Sequence, residues 1–249
     1  AILFVGGGSG SARVGIEMID GSGFLFRKDG KAAGLLQGTV SIIGIDGVTI
    51  SAEMTLRINQ FTQGLTETVT FNGNSVELNF AADEVADASG TPFIQVVAAD
   101  LAVNLFDAFE VTGAVAVTSV GSQILIGGTG MSLYAGVPVE DPADRLGFVV
   151  SDLEFGILVN TGGGGSVAIQ ASGNPAFVGE NLRLGIPDDP SVTSTFFFNN
   201  TGTDVDIAVP AGVTDVALQL SGNTTGPGIS GFIQVDLGGS LIVSGNYLL

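Results

Sequence analysis

The sequence predicts an all-β protein, and three observations support that prediction. Apolar and polar residues alternate from Ile50 to Ile58 in "TISAEMTLRIN", so that every even-numbered residue of this stretch is apolar. Residues 81–89 ("AADEVADAS") are the only stretch that suggests even one helical turn. The dipeptide at 72–73 ("NG") lies between two alternating segments, which is typical of a β-hairpin.

The hairpin prediction includes a strand register. Asn-Gly tolerates the positive φ angles of a type I′ turn, and a two-residue loop at 72–73 sets Phe71 opposite Asn74 and Val69 opposite Val76. At the C-terminal end, residues 231–249 contain two short alternating segments on either side of a Gly-Gly pair. We therefore expect a sheet that is at least partly antiparallel.

The chain contains an internal repeat. Gly15 in "VGIEMIDGSGFLF" matches Gly147 in "LGFVVSDLEFGIL" at an offset of 132 residues. Thr55 in "TLRIN" matches Thr195 in "TFFFN" at an offset of 140, and the same offset relates "SVELNF" to "DVALQL". The repeat predicts two copies of one unit.

The ends of the unit also match. The segment "ILFVGGG" at Ile2 corresponds to "ILIGGTG" at Ile124, an offset of 122, and "FEVTGAVAV" corresponds to "LIVSGNYLL" at an offset of 132. The loop "VPVEDPADRL" at 137–146 accounts for the change of offset. We assign copy 1 to residues 1–121 and copy 2 to residues 122–249. We expect two tandem, mostly antiparallel β-sandwich or β-roll modules that form an elongated rod, with a β-solenoid as the alternative.

One region of copy 1 resembles a known class of repeats. Residues 56–80, "LRINQFTQGLTETVTFNGNSVELNF", combine an Asn-ending strand, a polar loop and an Asn-Gly hairpin. This pattern resembles the adhesin-like tandem repeats of very large bacterial secreted and cell-surface proteins. The resemblance implies an extracellular structural or adhesive role with no catalytic residues. Copy 2 departs from the pattern, because "PAG" at 210–212 replaces the Asn-Gly turn.

Charge and composition exclude several classes of function. Twenty-five acidic residues and seven basic residues give a net charge of −18, which repels nucleic acid and anionic lipid. No apolar run reaches the roughly 18 residues of a membrane-spanning helix, so we predict no transmembrane segment. The chain has no His and no Cys, and therefore lacks the usual general base, thiol nucleophile and zinc ligands. We predict that it is not an enzyme.

Carboxylate clusters leave calcium open as a cofactor. Asp204 and Asp206 are spaced to share one strand face, and Asp141 and Asp144 lie together in a loop. Calcium binds six to eight oxygen ligands with loose geometry, so these side chains are candidate ligands. Acidic loops also keep an apolar β-protein soluble and discourage strand edges from aggregating, which requires no metal.

The repeat suggests how the protein acts. We expect a self-assembling structural section of an extracellular filament, stalk or giant surface protein, whose partners are copies of itself or adjacent repeats of the same chain. The expected interface is formed by the two ends of the chain: Ile2, Leu3, Phe4, Val5, Tyr247, Leu248 and Leu249. The alternatives are a calcium-dependent adhesin or binding module and a lipid-binding β-groove.

Overall fold

The fold is all-β. The computed structural model describes residues 2–7, 13–46, 48–71, 74–137, 146–161, 165–178, 182–184, 193–212, 214–222, 226–237 and 242–248. Within these ranges there are strands, turns and bends but no helix. Residues 81–89 form bends instead of the helical turn that their composition suggested. There the Asp87 carboxylate accepts the backbone N–H groups of Ser89 (2.9 Å) and Thr91 (2.8 Å), which competes with helical hydrogen bonding.

The described strands are numbered in chain order. Copy 1 contains β1 (Leu3–Gly7), β2 (Val14–Lys28), β3 (Lys31–Ile43), β4 (Val48–Asn59), β5 (Leu65–Phe71), β6 (Asn74–Phe80), β7 (Phe93–Leu105) and β8 (Phe109–Val120). Copy 2 contains β9 (Gln123–Gly136), β10 (Gly147–Asn160), β11 (Ser166–Val178), β12 (Leu182–Leu184), β13 (Ser194–Asn199), β14 (Val205–Pro210), β15 (Asp215–Leu220), β16 (Gly228–Leu237) and β17 (Ile242–Leu248).

Thirteen of these strands form one large sheet. Its order is β1-β2-β3-β4-β7-β8-β9-β10-β11-β12-β16, with β13 pairing to β11 and β16, and β17 pairing to β16. Two hairpins, β5–β6 and β14–β15, leave the sheet and pack against it. The predicted antiparallel, sandwich-like all-β fold is confirmed. The β-solenoid alternative is wrong, because its coils pair in parallel and every described pairing is antiparallel.

The first hairpin has the register that its turn residues predicted. Phe71 lies opposite Asn74 and Val69 lies opposite Val76. The turn itself, at 72–73, lies outside the described residues. Two strands also flank the glycine pair near the C-terminus, as expected, and they pair along their length as β16 and β17.

The two copies end an inner strand in the same way. Asn59 at the end of β4 and Asn199 at the end of β13 are both fully buried and stand 140 residues apart. Each Asn side chain accepts the backbone N–H of the residue two positions later, Phe61 or Thr201, at 2.9 Å. These are Asx turns, which direct the chain out of the sheet and into the hairpin.

The residue after each asparagine connects the corner to the neighbouring strand by two hydrogen bonds. Gln60 exchanges hydrogen bonds with the Ala32 backbone, its own N–H donating to the Ala32 oxygen and its side chain accepting the Ala32 N–H. Asn200 makes the same two bonds with Val167. The corner is therefore built from equivalent hydrogen bonds in both copies.

β1 pairs with β2 differently from the way β9 pairs with β10. In copy 2, Gly128 lies opposite Phe155, and the repeat offsets carry this pair to Gly6 and Gly23. The observed partner of Gly6 is Gly15, eight residues earlier. Hence β2 from 22 to 28 pairs with β3 and with no other strand that the structure describes.

The loop insertion explains this difference. In copy 2, β9 and β10 begin to pair at Gly136 and Gly147, so the ten residues 137–146 separate the paired positions along the chain. Copy 1 lacks an equivalent loop, so the same register would place residues 14 and 15 opposite each other with no residue left for a turn. β1 therefore pairs near the beginning of β2.

A line of β-bulges crosses the sheet in the middle of its long strands. Residues in the left-handed region mark it: Asp20 (φ 53°), Asp100 (φ 48°), Gly113 (φ 134°), Gly130 (φ 58°) and Asp152 (φ 50°). The strand registers shift next to these residues. Bulges bend strands and raise their local twist, so strands of 12 to 15 residues are not flat.

Candidate functional site

The two hairpins pack on the same face of the sheet, here called the polar face. The β5–β6 hairpin buries Leu78 and Phe80 against Ala33 and Phe93. The β14–β15 hairpin buries Val205, Val209 and Leu218 against Leu158 and Ala168. Val120 packs against the first core, lies opposite Gln123, and Gln123 lies opposite Asn160. Asn160 and Leu158 are two residues apart on β10, so both cores lie on one face of the sheet. Among the described residues, the two clustered cores lie under the hairpins, and Ala52, Met131 and Tyr134 are buried outside them.

Arg57 attaches the first hairpin to the polar face. Its guanidinium donates to both carboxylate oxygens of Glu84, to Gln95 Oε1 (3.0 Å) and to the Asn79 backbone oxygen (2.8 Å). It also lies 4.9 Å from the centre of the Phe80 ring, a cation–π distance. Every one of these partners is a fixed group of the fold, which indicates a structural role for the Arg57–Glu84 pair.

The ionisation of Glu84 reflects two opposing effects. Burial raises the pKa of Glu84. The hydrogen bonds from Arg57 and from the Ala81 N–H, together with the positive charge of Arg57, lower it by more than burial raises it, so the pKa lies below its ordinary value. A carboxyl group with a lowered pKa stays ionised at neutral pH and is a poor general acid. The electrostatics of this pair favour anchoring and not catalysis.

The seam between the copies is a long strand pairing. β8 and β9 are joined by the turn at 121–122, where copy 1 meets copy 2, and pair from Phe109↔Ala135 to Val120↔Gln123. The second hairpin crosses this seam from copy 2: a Cβ on Gly212 would lie 3.0 Å from the Ala114 side chain of β8. The copies are thus connected within one sheet and also by the packing of a hairpin.

The predicted end-to-end interface maps to the two outermost strands. Leu3, Phe4 and Val5 belong to β1, which pairs only with β2 among the described strands, and Tyr247 and Leu248 belong to β17, which pairs only with β16. Ile2 and Leu248 are each 73% exposed. Leu249 lies outside the described residues. The structure therefore places the two groups of predicted residues at opposite edges of one sheet.

These edges lack the usual protection against strand addition. Natural edge strands carry charged side chains, especially Lys, or Pro, which block pairing with another chain. β1 reads "LFVGG" and β17 reads "IVSGNYL", and neither contains Pro or a charged residue. Both edges are chemically suited to receive a further strand.

The other face of the sheet, here called the apolar face, carries rows of apolar side chains. The central row crosses nine strands, each residue directly opposite the next: Gly23, Leu36, Leu56, Val96, Val117, Ile126, Ile157, Ile169 and Phe198. A flanking row contains Gly38, Met54, Ala98, Val115, Gly128, Phe155, Ala171 and Phe196. The row on the other side contains Leu25, Gly34, Ile58, Ile94, Ser119, Ile124, Val159 and Val167. These three rows contain no charged side chain.

The apolar face has a hollow at its β2–β4 end. A depression of about 450 Å³ lies there, and its lining includes Leu25, Leu36, Leu56 and Ile58. Gly23 and Gly34 also line the hollow, and leucine side chains lie over them: a Cβ on Gly23 would be 3.1 Å from Leu36 Cδ1, and a Cβ on Gly34 would be 3.0 Å from Leu25 Cδ1. Leu25 is 65% exposed at the rim of the hollow.

The candidate calcium ligands do not form a cluster where the structure describes them. Asp204 Oδ1 accepts the Gly222 backbone N–H (2.8 Å), which ties the start of β14 to the end of β15. Asp206 Oδ1 accepts a hydrogen bond from its cross-strand neighbour Gln219 (3.0 Å). Asp141 and Asp144 lie outside the described residues. Within the described ranges, no three His, Cys, Asp or Glu side chains are grouped so as to hold a metal ion.

The apolar face was only partly foreseeable from the sequence. Alternation from Ile50 to Ile58 predicted that these residues share a face, and they do share the apolar face. Alternation does not indicate whether a second layer covers that face. Where the structure is described, it contains no helix of the length and apolarity that a membrane span requires.

Comparisons with protein-family models, with curated proteins and with solved structures find no match to this chain. The features of this chain that bear on function are therefore the two sheet edges, the seam and the apolar face.

Proposed function

We propose that the chain is a non-catalytic structural section of an extracellular filament, stalk or giant surface protein, and that it assembles end to end by strand pairing at its sheet edges. The observation that carries this proposal is the β8–β9 seam. One repeat already continues the sheet of the other there, through a full-length antiparallel pairing. If β17 of one chain pairs in the same way with β1 of a second chain, the sheet continues from one molecule into the next without a new kind of contact.

Several observations support the cellular setting and the absence of catalysis. The acidic composition and the resemblance to bacterial surface repeats favour an extracellular role. The chain lacks His and Cys, and the half-buried ion pair Arg57–Glu84 is satisfied by groups of the fold. Unprotected edges favour assembly over a monomeric binding module.

The seam gives the register of the proposed junction. The offset of 132 carries Ala116 to Leu248, and the offset of 122 carries Gly127 to Val5. Ala116 and Gly127 are direct partners in the seam, so Leu248 of one chain is expected opposite Val5 of the next. The two positions lie at opposite edges of the sheet, about 50 Å apart at about 4.8 Å per strand, so they do not meet within one chain.

The test uses the absence of native cysteine. Chains carrying both Val5→Cys and Leu248→Cys should form a disulfide ladder in multiples of 25.0 kDa on oxidation, because opposed Cβ atoms are close enough to bond. The matched control carries Leu3→Cys with Leu248→Cys, two residues out of register. Equal ladders from both variants, or no ladder from the first, would refute the junction.

A second measurement tests the direction of growth. Each copy contributes six strands across the main sheet when β12 and β13 are counted as one, so growth at the edges predicts an axial repeat of about 29 Å for each copy. Electron microscopy of assembled fibres measures this spacing. Isolated, monodisperse particles at assembly concentrations would contradict the proposal.

A further inference from the structure

The apolar face lacks a covering layer in the part of the chain that the structure describes. Both hairpins pack on the polar face, and Leu56, Val117 and Phe196 of the apolar face are 37%, 37% and 38% exposed. The chain has 14088 Å² of accessible surface, whereas a compact monomer of this mass has about 10,200 Å². A stable domain needs two packed layers, and the hairpins supply the second layer on the polar face only.

We propose that the apolar face is the interface with a second copy of this chain, which packs against it face to face as the other layer of a β-sandwich. Self-pairing joins two surfaces whose three central rows carry no charge. The acidic side chains of the polar face, such as Glu53, Glu110 and Glu154, then lie outside the interface. This arrangement is compatible with a net charge of −18 on each chain, because the three rows that meet in the interface contain no charged side chain to bury.

The area of the face is that of a stable dimer. Nine strands at about 4.8 Å and strands of about 40 Å give a face of about 1,700 Å², so two such faces bury about 3,400 Å². Obligate homodimers bury about 2,000–5,000 Å². Each chain then buries about 1,700 Å², a little under half of the roughly 3,900 Å² by which its accessible surface exceeds that of a compact monomer.

The shape of the face favours a second copy as its occupant. The hollow lies at the β2–β4 end of the central row, and the large side chain Phe198 lies at the other end of the same row. A two-fold axis parallel to the strands places residues of the same row opposite each other in the two chains, and it reverses the order of the strands from one chain to the other. Each Phe198 then stands over the hollow of the partner. A lipid layer would require no such relation between the two ends of one row.

This symmetry predicts which residue lies on the axis. Val117 of β8 is the fifth of the nine residues in the central row, so Val117 of one copy faces Val117 of its partner. Packed sheets lie about 10 Å apart, which a short bismaleimide cross-linker spans. The interface is separate from the sheet edges, so the proposal does not depend on end-to-end assembly.

The decisive experiment is cross-linking of a single-cysteine chain. Val117→Cys should give covalent dimers and nothing larger, because each chain carries one thiol. Thr112→Cys, an exposed position on the polar face of the same strand, is the matched control. We expect at least about tenfold more dimer from Val117→Cys than from the control, since only the apolar faces lie within cross-linker reach. Equal yields would overturn the proposal.

A charge substitution gives an independent test. Val117→Lys places two unpaired lysines at the axis and should raise the dissociation constant of the dimer at least about 100-fold, whereas Thr112→Lys should leave it unchanged. Leu25→Lys, at the rim of the hollow, is a second variant that a single chain tolerates because Leu25 is 65% exposed. Sedimentation measures the mass, and far-UV circular dichroism checks the fold.

Lipid binding is the contrary outcome. A monomeric wild-type chain that binds phosphatidylcholine vesicles, and loses that binding in Val117→Lys, would overturn the second copy and identify lipid as the occupant. If the Val5→Cys/Leu248→Cys chain forms no disulfide ladder but Val117→Cys still gives cross-linked dimers, only the end-to-end junction is refuted. The reverse result would refute only the face-to-face dimer.

Discussion

Replacing the two corner asparagines tests whether they stabilise the fold as the structure indicates. Asn59 donates to the Glu84 backbone oxygen (2.7 Å) and accepts the Phe61 N–H (2.9 Å). Asn59→Ala leaves both groups without this partner next to a fully buried side chain, and each lost bond costs about 1–1.5 kcal/mol. We therefore expect Asn59→Ala to lower the free energy of unfolding by about 2–3 kcal/mol.

Asn199 makes more hydrogen bonds than Asn59. Its amide donates to the backbone oxygens of Thr203 and Ser221, both at 3.0 Å, and its oxygen accepts from the N–H and the hydroxyl of Thr201. The Thr201 hydroxyl can donate to the Thr203 oxygen (3.0 Å) instead, so Asn199→Ala loses three bonds and should cost about 3–4.5 kcal/mol. The two sites are separated by six strand spacings, about 29 Å, so the double variant should lose about the sum of the two effects.

Urea unfolding followed by circular dichroism measures these losses. Thr49→Ala, at an exposed position on β4, is the control and should change the free energy of unfolding by less than about 0.5 kcal/mol. Losses below that value for both asparagine variants would refute the role of the corners. A larger loss for Asn59→Ala than for Asn199→Ala would refute the ranking by hydrogen bonds.

Three further predictions follow from the anchor, the seam and the bulges. Because the pKa of Glu84 is lowered in the folded chain, ionised Glu84 stabilises the fold above the ordinary Glu pKa of about 4.3, and this stabilisation is lost as the pH falls below that value. The urea midpoint should therefore fall more for the wild type than for Glu84→Gln between about pH 6 and pH 3. Parallel curves for the two proteins would contradict this. A Cβ on Gly127 would lie 2.4 Å from the Pro210 backbone oxygen, so Gly127→Ala should destabilise the chain by about 1–3 kcal/mol, while Gly226→Ala, with no atom within 4 Å of its Cβ, should not. Asp100 has a φ of 48°, so Asp100→Gly should keep or raise the urea midpoint while Asp100→Val lowers it, and the opposite order would refute the strain argument.

Local chemistry made part of this fold predictable. The Asn-Gly pair at 72–73 fixed the register of β5–β6, because a two-residue turn leaves only one pairing for its flanking strands. The asparagine that ends "TLRIN" and "TFFFN" also reappears as an equivalent corner in both copies. In these places a few adjacent residues determine the structure.

Long-range pairing was not predictable in the same way. The repeat indicated two copies, and the two-residue turn Gly121-Ser122 joins β8 to β9, but the pairing of β4 with β7 across the β5–β6 hairpin depends on backbone contacts that no short residue pattern encodes. The register of β1 depends on a loop that copy 1 lacks. Residues 81–89, the one stretch whose pattern suggested a helical turn, contain no helix; there Asp87 binds the N–H groups of Ser89 and Thr91, and residue counts do not reveal that competition.

The line of bulges affects which strands can pair with one another in the sheet. In the seam, the register shifts between Thr112 and Ala114, so β9 matches β8 along its whole length only because it carries the complementary irregularity. A regular strand from an unrelated protein would pair with such an edge on one side of the bulge and lose the ladder on the other. The seam is therefore matched by shape, whereas the described edge pairings, β1–β2 and β16–β17, run without a register shift. At the edges, the selection of a partner strand must come from side chains and not from a bulge.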